Sequence, residues 1–319
     1  MSQNTAPSGL TSIREHLARL RLPVVAAPMF LVSGPELVIA AARAGIVGAF
    51  PTPNCRTTAD LERWMATITE ACAGAPGLWA ANLVTHSTNP RLADDLALIA
   101  RYRPPVVITA LGSPRAAVEV VHAYGGIVLA DVISVELARK AAAAGADGLV
   151  CVSAGAGGHT GFLSPFAFVS ALRREFDGLI CLSGGIADGF GIAGAVAAGA
   201  DLVYMGTRFL AADESRAVPA YKQMVVDARL EDLVVSAAIT GTPASWLLPS
   251  LRANGYDPDQ LKTAAARDYG GDAMRWKDLW AAGQGVGAVD AQEPVATIVD
   301  RLADEFRTAS AALAARAAI

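Results

Sequence analysis

The feature that most constrains this chain is a phrase that it repeats. Ala41–Ala49 reads AARAGIVGA, Ala142–Val150 reads AAAGADGLV, and Ala197–Met205 reads AAGADLVYM. In each, an Ala-rich helical pattern stops at a glycine (Gly45, Gly145, Gly199) and an apolar run begins within one or two residues. Glycine ends a helix well because the position after the last turn takes left-handed backbone, which suits a residue without Cβ. A recurring helix-to-strand joint predicts a fold assembled from equivalent βα units.

Eight apolar runs carry that prediction along the chain: Val24–Ala27, Ile46–Phe50, Leu78–Asn82, Val106–Thr109, Ile127–Ala130, Gly148–Val152, Leu179–Ser183 and Leu202–Met205. Helical patterns lie between them, from Gly34–Ala44 through Gly189–Ala198. Strands alternating with helices imply a parallel sheet, and continuous Val/Ile/Leu runs imply strands buried on both faces. Eight units predict closure into a (β/α)₈ barrel, for which 319 residues suffice as one unit.

From about Asp213 to Gln284 the alternation lapses. This stretch holds Trp246, Trp276 and Trp280, with Tyr256 and Tyr269. It reads as an appended, partly helical segment, either a packing elaboration or an aromatic wall over a ligand pocket. The domain scheme is therefore an N-terminal extension over 1–20, a barrel over 21–212 and 285–319 with a terminal helix from about Val295, and the appended segment over 213–284.

Composition excludes several classes. Hydrophobic residues make up 53% and charged residues 18%, far from a disordered chain. A net charge of −4 points to neither nucleic acid nor an anionic membrane surface. No apolar stretch reaches the length of a membrane span, and Met1–Thr11 lacks the apolar core of a signal peptide. The four cysteines form no CxxC pair and stand at no metal-ligand spacing from a histidine; they read as buried thiols in a reducing, cytoplasmic setting, with no metal site.

In such barrels the chemistry sits in the loops after the strands. After the first run come Ala27, Pro28, Met29 and Phe30, where proline stiffens a backbone that can lie against a planar ring. Asn82, at the end of the third run, offers a donor and an acceptor. The loop after the sixth run, Ser153–Gly161, reads SAGAGGHTG; Gly157 and Gly158 let backbone approach a ligand, and His159 is its one ionisable group. An imidazole there can move a proton or hold an anion. The loops after the seventh and eighth runs are the usual phosphate site, with Gly185, Gly206 and Thr207 as the best contacts. The phosphate could belong to FMN, a nucleotide or a sugar. Gln284, in AGQGVG, is placed to fold back on the mouth, and Trp246 and Phe30 are the candidates for the substrate pocket.

The segments PVVAAPM (Pro23–Met29), GAGGHTG around His159, SGGIADG, YMGTRF (Tyr204–Phe209) and AGQGVG (Ala282–Gly287) occur in an order that resembles the nitronate monooxygenase family. The resemblance spans about residues 22 to 290. It implies FMN held without a covalent bond, with Ala27, Pro28 and Met29 along the ring, Asn82 at its polar edge and Gln284 nearby. The phosphate would rest on Gly184, Gly185, Gly206 and Thr207, and His159 would be the catalytic or substrate-positioning histidine. It further implies oxidation of an alkyl nitronate by O₂ to a carbonyl compound and nitrite. One departure stands out: Gly155 occupies the place of the acidic residue in the family's better-known E-A-G-G-H loop. An NAD(P)H-dependent quinone or enoyl reductase is the alternative on the same barrel, and a homodimer is compatible with it. A purine-nucleotide dehydrogenase would want a cysteine in the loop after the sixth run, where none occurs. A non-catalytic flavin binder would not need His159.

Overall fold

The computed structural model describes residues 8–257, 261 and 276–318. Eight strands close a parallel barrel: β1 (Val24–Ala26), β2 (Val47–Pro51), β3 (Leu78–Val84), β4 (Val106–Ala110), β5 (Ile127–Val132), β6 (Gly148–Val152), β8 (Leu179–Ser183) and β9 (Leu202–Met205). The short strand β7 (Gly158–His159) lies outside it. Closure comes from β9 pairing with β1, Tyr204 opposite Val25. All eight expected runs are barrel strands.

Strand periodicity sorts the side chains. Ile127 and Leu129 join Val150, Cys181 and Leu202 in the barrel interior, while Val128 and Val107 pack outward against the helices. The joint glycines take the expected left-handed backbone, with φ of 86° at Gly45, 95° at Gly145 and 109° at Gly199. Two of the joints carry a further device. Asp147 accepts Val128 N at 2.8 Å, and Asp201 accepts Ile180 N at 2.7 Å, so each Gly-Ala-Asp ties its new strand to the one before.

The barrel's N-terminal end is covered by the helix Ser8–Ala18, whose Leu17 packs on the interior cluster. The terminal helix Val295–Ala317 buries Ile298, Val299 and Leu302 against the barrel's helical layer. Its Glu305 accepts Gly189 N at 2.8 Å, at the start of the helix Gly189–Ala197.

The appended segment contains the helices Pro219–Asp227 and Leu248–Ala253. It also carries two strands that periodicity did not reveal, β10 (Leu233–Ser236) and β11 (Ala244–Leu247). They pair antiparallel, and β7 adds to β11, with His159 opposite Ala244. Tyr269 lies outside the described residues, as do residues 1–7 of the N-terminal extension. No described helix is long and apolar enough to cross a membrane.

Candidate functional site

One carbonyl joins three loops at the C-terminal mouth of the barrel. Gly155 O, in the loop after β6, accepts Gly185 N from the loop after β8 at 3.1 Å. It also accepts Gln284 N at 2.9 Å. The approach is so close that side chains have no room. A Cβ on Gly283 would stand 2.6 Å from both Gly155 O and Gly157 N. A Cβ on Gly155, whose φ is +88°, would stand 2.8 Å from Gln284 Oε1. The departure at Gly155 therefore has a local reason: Gln284 lies against the space where a side chain would project. We expect Gly283→Ala to push the two loops apart and destabilise the chain by about 1–3 kcal/mol, the usual cost of overpacking. Urea unfolding against the unaltered protein would measure it, and equal stabilities would contradict this packing role.

The loop after β1 is held from the side. Asn54 Oδ1 accepts Leu31 N at 2.8 Å, and its Nδ2 donates to Met29 O at 3.1 Å and Ser33 O at 2.8 Å. Ser33 Oγ accepts Met29 N at 2.9 Å. This clamp fixes Ala27, Pro28 and Met29 across the mouth, with Phe30 half exposed at the rim. Sequence reasoning missed Asn54 and Ser33; a carboxamide in the Thr-Pro-Asn turn after the second run was the available signal. Met29 also borders the face of Gly206, where nothing lies closer than 3.6 Å to an added Cβ.

Thr207 is buried, and its Oγ1 accepts Gly283 N at 2.9 Å, adding a second tie between the AGQGVG segment and the barrel. Gly185 has its N–H committed to Gly155, which makes it a former of the loop more than a donor to a ligand. Asn82 is buried, and its Nδ2 donates to Ile108 O at 3.2 Å.

His159 is exposed on β7, held by the pairing of that strand with β11. The ring meets Trp276 edge-on at 5.3 Å between centroids. Trp276 in turn stacks on Trp246 at 4.4 Å. Trp246, expected to line the substrate pocket, is instead fully buried among Ile239, Leu251 and Leu279. It backs the wall that Trp276 presents to His159. The reason is β11, which turns Trp246 into the segment's own core. A cavity of about 280 Å³ lies on the opposite face of this small sheet, bounded by Leu233, Val235 and Ser245 with Gly155, Gln284 and Leu230.

The barrel interior supplies two polar groups absent from the sequence-based candidates. Asp131 continues the inward phase of Ile127 and Leu129 at the end of β5, and Tyr204 packs on the interior cluster from β9. Asp131 Oδ1 and Tyr204 OH are sealed from solvent with no hydrogen-bond partner among the described residues. Burial pushes the Asp131 carboxyl up to about 7. Burial, then the charge of Asp131, pushes the Tyr204 phenol well above its ordinary value. The four cysteines are free, and burial raises the thiols of Cys55 and Cys151 to about 12. No metal-binding cluster occurs among the described residues.

Arg208, from YMGTRF, does not face this mouth group. It is buried and paired with Glu293 at 3.3 Å, and Glu293 also binds Arg301.

Comparisons with known proteins agree with this architecture. The model of the nitronate monooxygenase family matches residues 57–305. A Mycobacterium tuberculosis protein named (3aS,4S,5R,7aS)-5-hydroxy-7a-methyl-1-oxo-octahydro-1H-indene-4-carboxyl-CoA dehydrogenase is 31% identical over 69% of this chain. The match spans 61% of that protein, so the chain covers less than two thirds of its length. Among solved structures, FabK from Thermotoga maritima superposes with a TM-score of 0.80 at 27% identity, over 97% of this chain and 99% of the other. Nitroalkane oxidase from Streptomyces ansochromogenes gives a TM-score of 0.80 at 26% identity, over 93% of this chain and 99% of the other.

Proposed function

Because the chain belongs to the nitronate monooxygenase family of oxidoreductases, we propose that it binds FMN across the barrel mouth and oxidises a small molecule whose reacting carbon is acidified by an electron-withdrawing group. An alkyl nitronate, oxidised with O₂ to a carbonyl compound and nitrite, is the first such substrate. The observation that carries this reading is the placement of His159. Its imidazole stands exposed against the Trp276 ring, on a strand locked by backbone pairing, in the loop after β6 of a barrel whose mouth loops are fastened together.

The residues present suit a flat, polar-edged cofactor. Ala27, Pro28 and Met29 form a stiff wall, Asn82 presents a carboxamide, and two unpartnered polar atoms wait inside the barrel. Gly184, Gly206 and Thr207 would hold the phosphate, with Gly185 shaping the loop and Gln284 beside the ring. Gly157 and Gly158 keep the His159 loop slim enough to approach it. FMN, when bound, would take electrons from the substrate carbon and pass them to O₂. The chain would do the rest: His159 holds or moves the substrate proton, while Leu230, Leu233 and Val235 border the cavity and limit water.

A second substrate reading has its own support. The cavity is edged by the apolar side chains of Leu230, Leu233 and Val235. The Mycobacterium tuberculosis relative is named for a ring-bearing acyl-CoA. Such a thioester would also have an acidified carbon. Oxygen uptake with the FMN-loaded protein tests the choice. Turnover of a short nitronate without NADH or NADPH supports the first reading. Turnover restricted to an acyl thioester moves the substrate to the second, and activity only with NADH or NADPH moves the protein to the reductases.

A further inference from the structure

Asp131 and Tyr204 stand inside the barrel at the C-terminal ends of β5 and β9, directly below the mouth. A carboxyl and a phenol buried in a barrel interior are costly to leave without partners. Below them the interior is Leu129, Val150, Cys181 and Leu202, which offer no strong donor or acceptor. Asp131 keeps part of its surface open, while its Oδ1 and the Tyr204 OH are shut off from water. No arginine, lysine or histidine is paired with Asp131 among the described ion pairs, and burial is the cause of its shift. An arrangement that is unsatisfied within the chain, and that opens toward the mouth, is one built for a ligand.

We propose that Asp131 and Tyr204 form the polar floor of the cofactor site, hydrogen-bonding the edge of the bound ring from inside the barrel, and that the charge state of Asp131 tunes that ring. This inference rests on the reading that the mouth binds a flavin. Neutral Asp131 donates a hydrogen bond; ionised Asp131 places a negative charge beside the ring. A negative charge disfavours added electrons, so the ring should become harder to reduce as the carboxyl ionises. Tyr204 donates through its hydroxyl over the whole neutral range, because both burial and the charge of Asp131 keep it protonated. The groups facing Asp131 are Tyr204 from β9 and the neutral thiol of Cys181 from β8; β6 contributes Val150 and Val152, β4 contributes Ile108, and β3 contributes the uncharged Asn82. Nothing else described in that interior titrates near neutrality.

The same carboxyl leaves a mark on the ligand-free protein. Asp131 is held near 7 in the folded chain against an unfolded value of 3.8. The folded state therefore binds the extra proton between these values, and stability falls as pH rises from about 4 through about 7. Asp131→Asn removes that fall.

The test is a pH titration, from about 5 to 9, of the absorption spectrum of protein-bound FMN, with His159→Ala and Asp131→Asn beside the unaltered chain. We expect a transition in the bound-flavin band that survives His159→Ala and is lost in Asp131→Asn, and a fall in FMN affinity of about three- to tenfold in Tyr204→Phe. Thermal unfolding of ligand-free Asp131→Asn against pH checks that the variant folds and lacks the acid-side rise. A transition unchanged in Asp131→Asn, or no transition in the unaltered chain, overturns the inference while leaving flavin binding intact. A chain that folds and takes up no FMN overturns both.

Discussion

Replacing His159 by Ala should lower kcat/KM by about 10²- to 10⁴-fold, the usual contribution of a positioned acid or base, with bound flavin per chain unchanged. Retention of flavin follows from how the residue is held. β7 is fixed by main-chain pairing to β11, and Ala preserves that pairing. The side chain is exposed and touches the aromatic wall at Trp276, so its removal leaves no buried cavity. Loss of flavin in step with activity would instead make His159 a cofactor ligand. Unchanged turnover would remove it from the chemistry. The split between kcat and KM adds detail: a group acting on the substrate proton lowers kcat, whereas one that only holds the substrate raises KM.

Glu293→Ala should destabilise the chain by about 3–5 kcal/mol, as expected when a buried cation loses its partner. Arg208 is 2% exposed and sits within reach of Glu293, and burial already lowers its pKa. Glu293 is also the link to Arg301 and, through its backbone carbonyl, accepts Asp213 N at 3.0 Å. It thus fastens the start of the appended segment to the chain just before the terminal helix. Arg208→Met should be milder, because it removes the buried charge itself and leaves Glu293 paired with Arg301. Urea unfolding of both variants gives the comparison. Equal effects, or a Glu293→Ala change below about 1 kcal/mol, the size of a surface pair, would contradict the buried-pair account.

The barrel was legible because its grammar is local. Gly45, Gly145 and Gly199 end helices by backbone conformation alone, and strands buried on both faces announce themselves as apolar runs. Asp131 escaped for the same reason: a strand read as an apolar run stops at its first charge, so β5 was ended at Ala130, one residue before the carboxyl that points into the barrel. The structure extends β5 to Val132. Phase carries the missing information, since Ile127, Leu129 and Asp131 share one face. Tyr204 lay in plain view in YMGTRF but read as one more strand residue.

Other features depend on contacts between distant segments. Nothing near Trp246 in sequence says that β11 will pair with β7 and bury the indole. Nothing near Arg208 names Glu293, 85 positions on. Gly155 is the reverse case: its departure from the family's loop was visible in the sequence, but its cause, the side chain of Gln284 lying over it, required the fold.

The central claim is that this mouth holds a flavin which an acidified carbon substrate reduces. The most direct test is the visible spectrum of the purified, FMN-reconstituted protein under anaerobic conditions, mixed separately with a short-chain nitronate and with NADH. Bleaching of the oxidised flavin band by nitronate alone is the predicted result. Bleaching by NADH alone, or no flavin band after reconstitution, would contradict it.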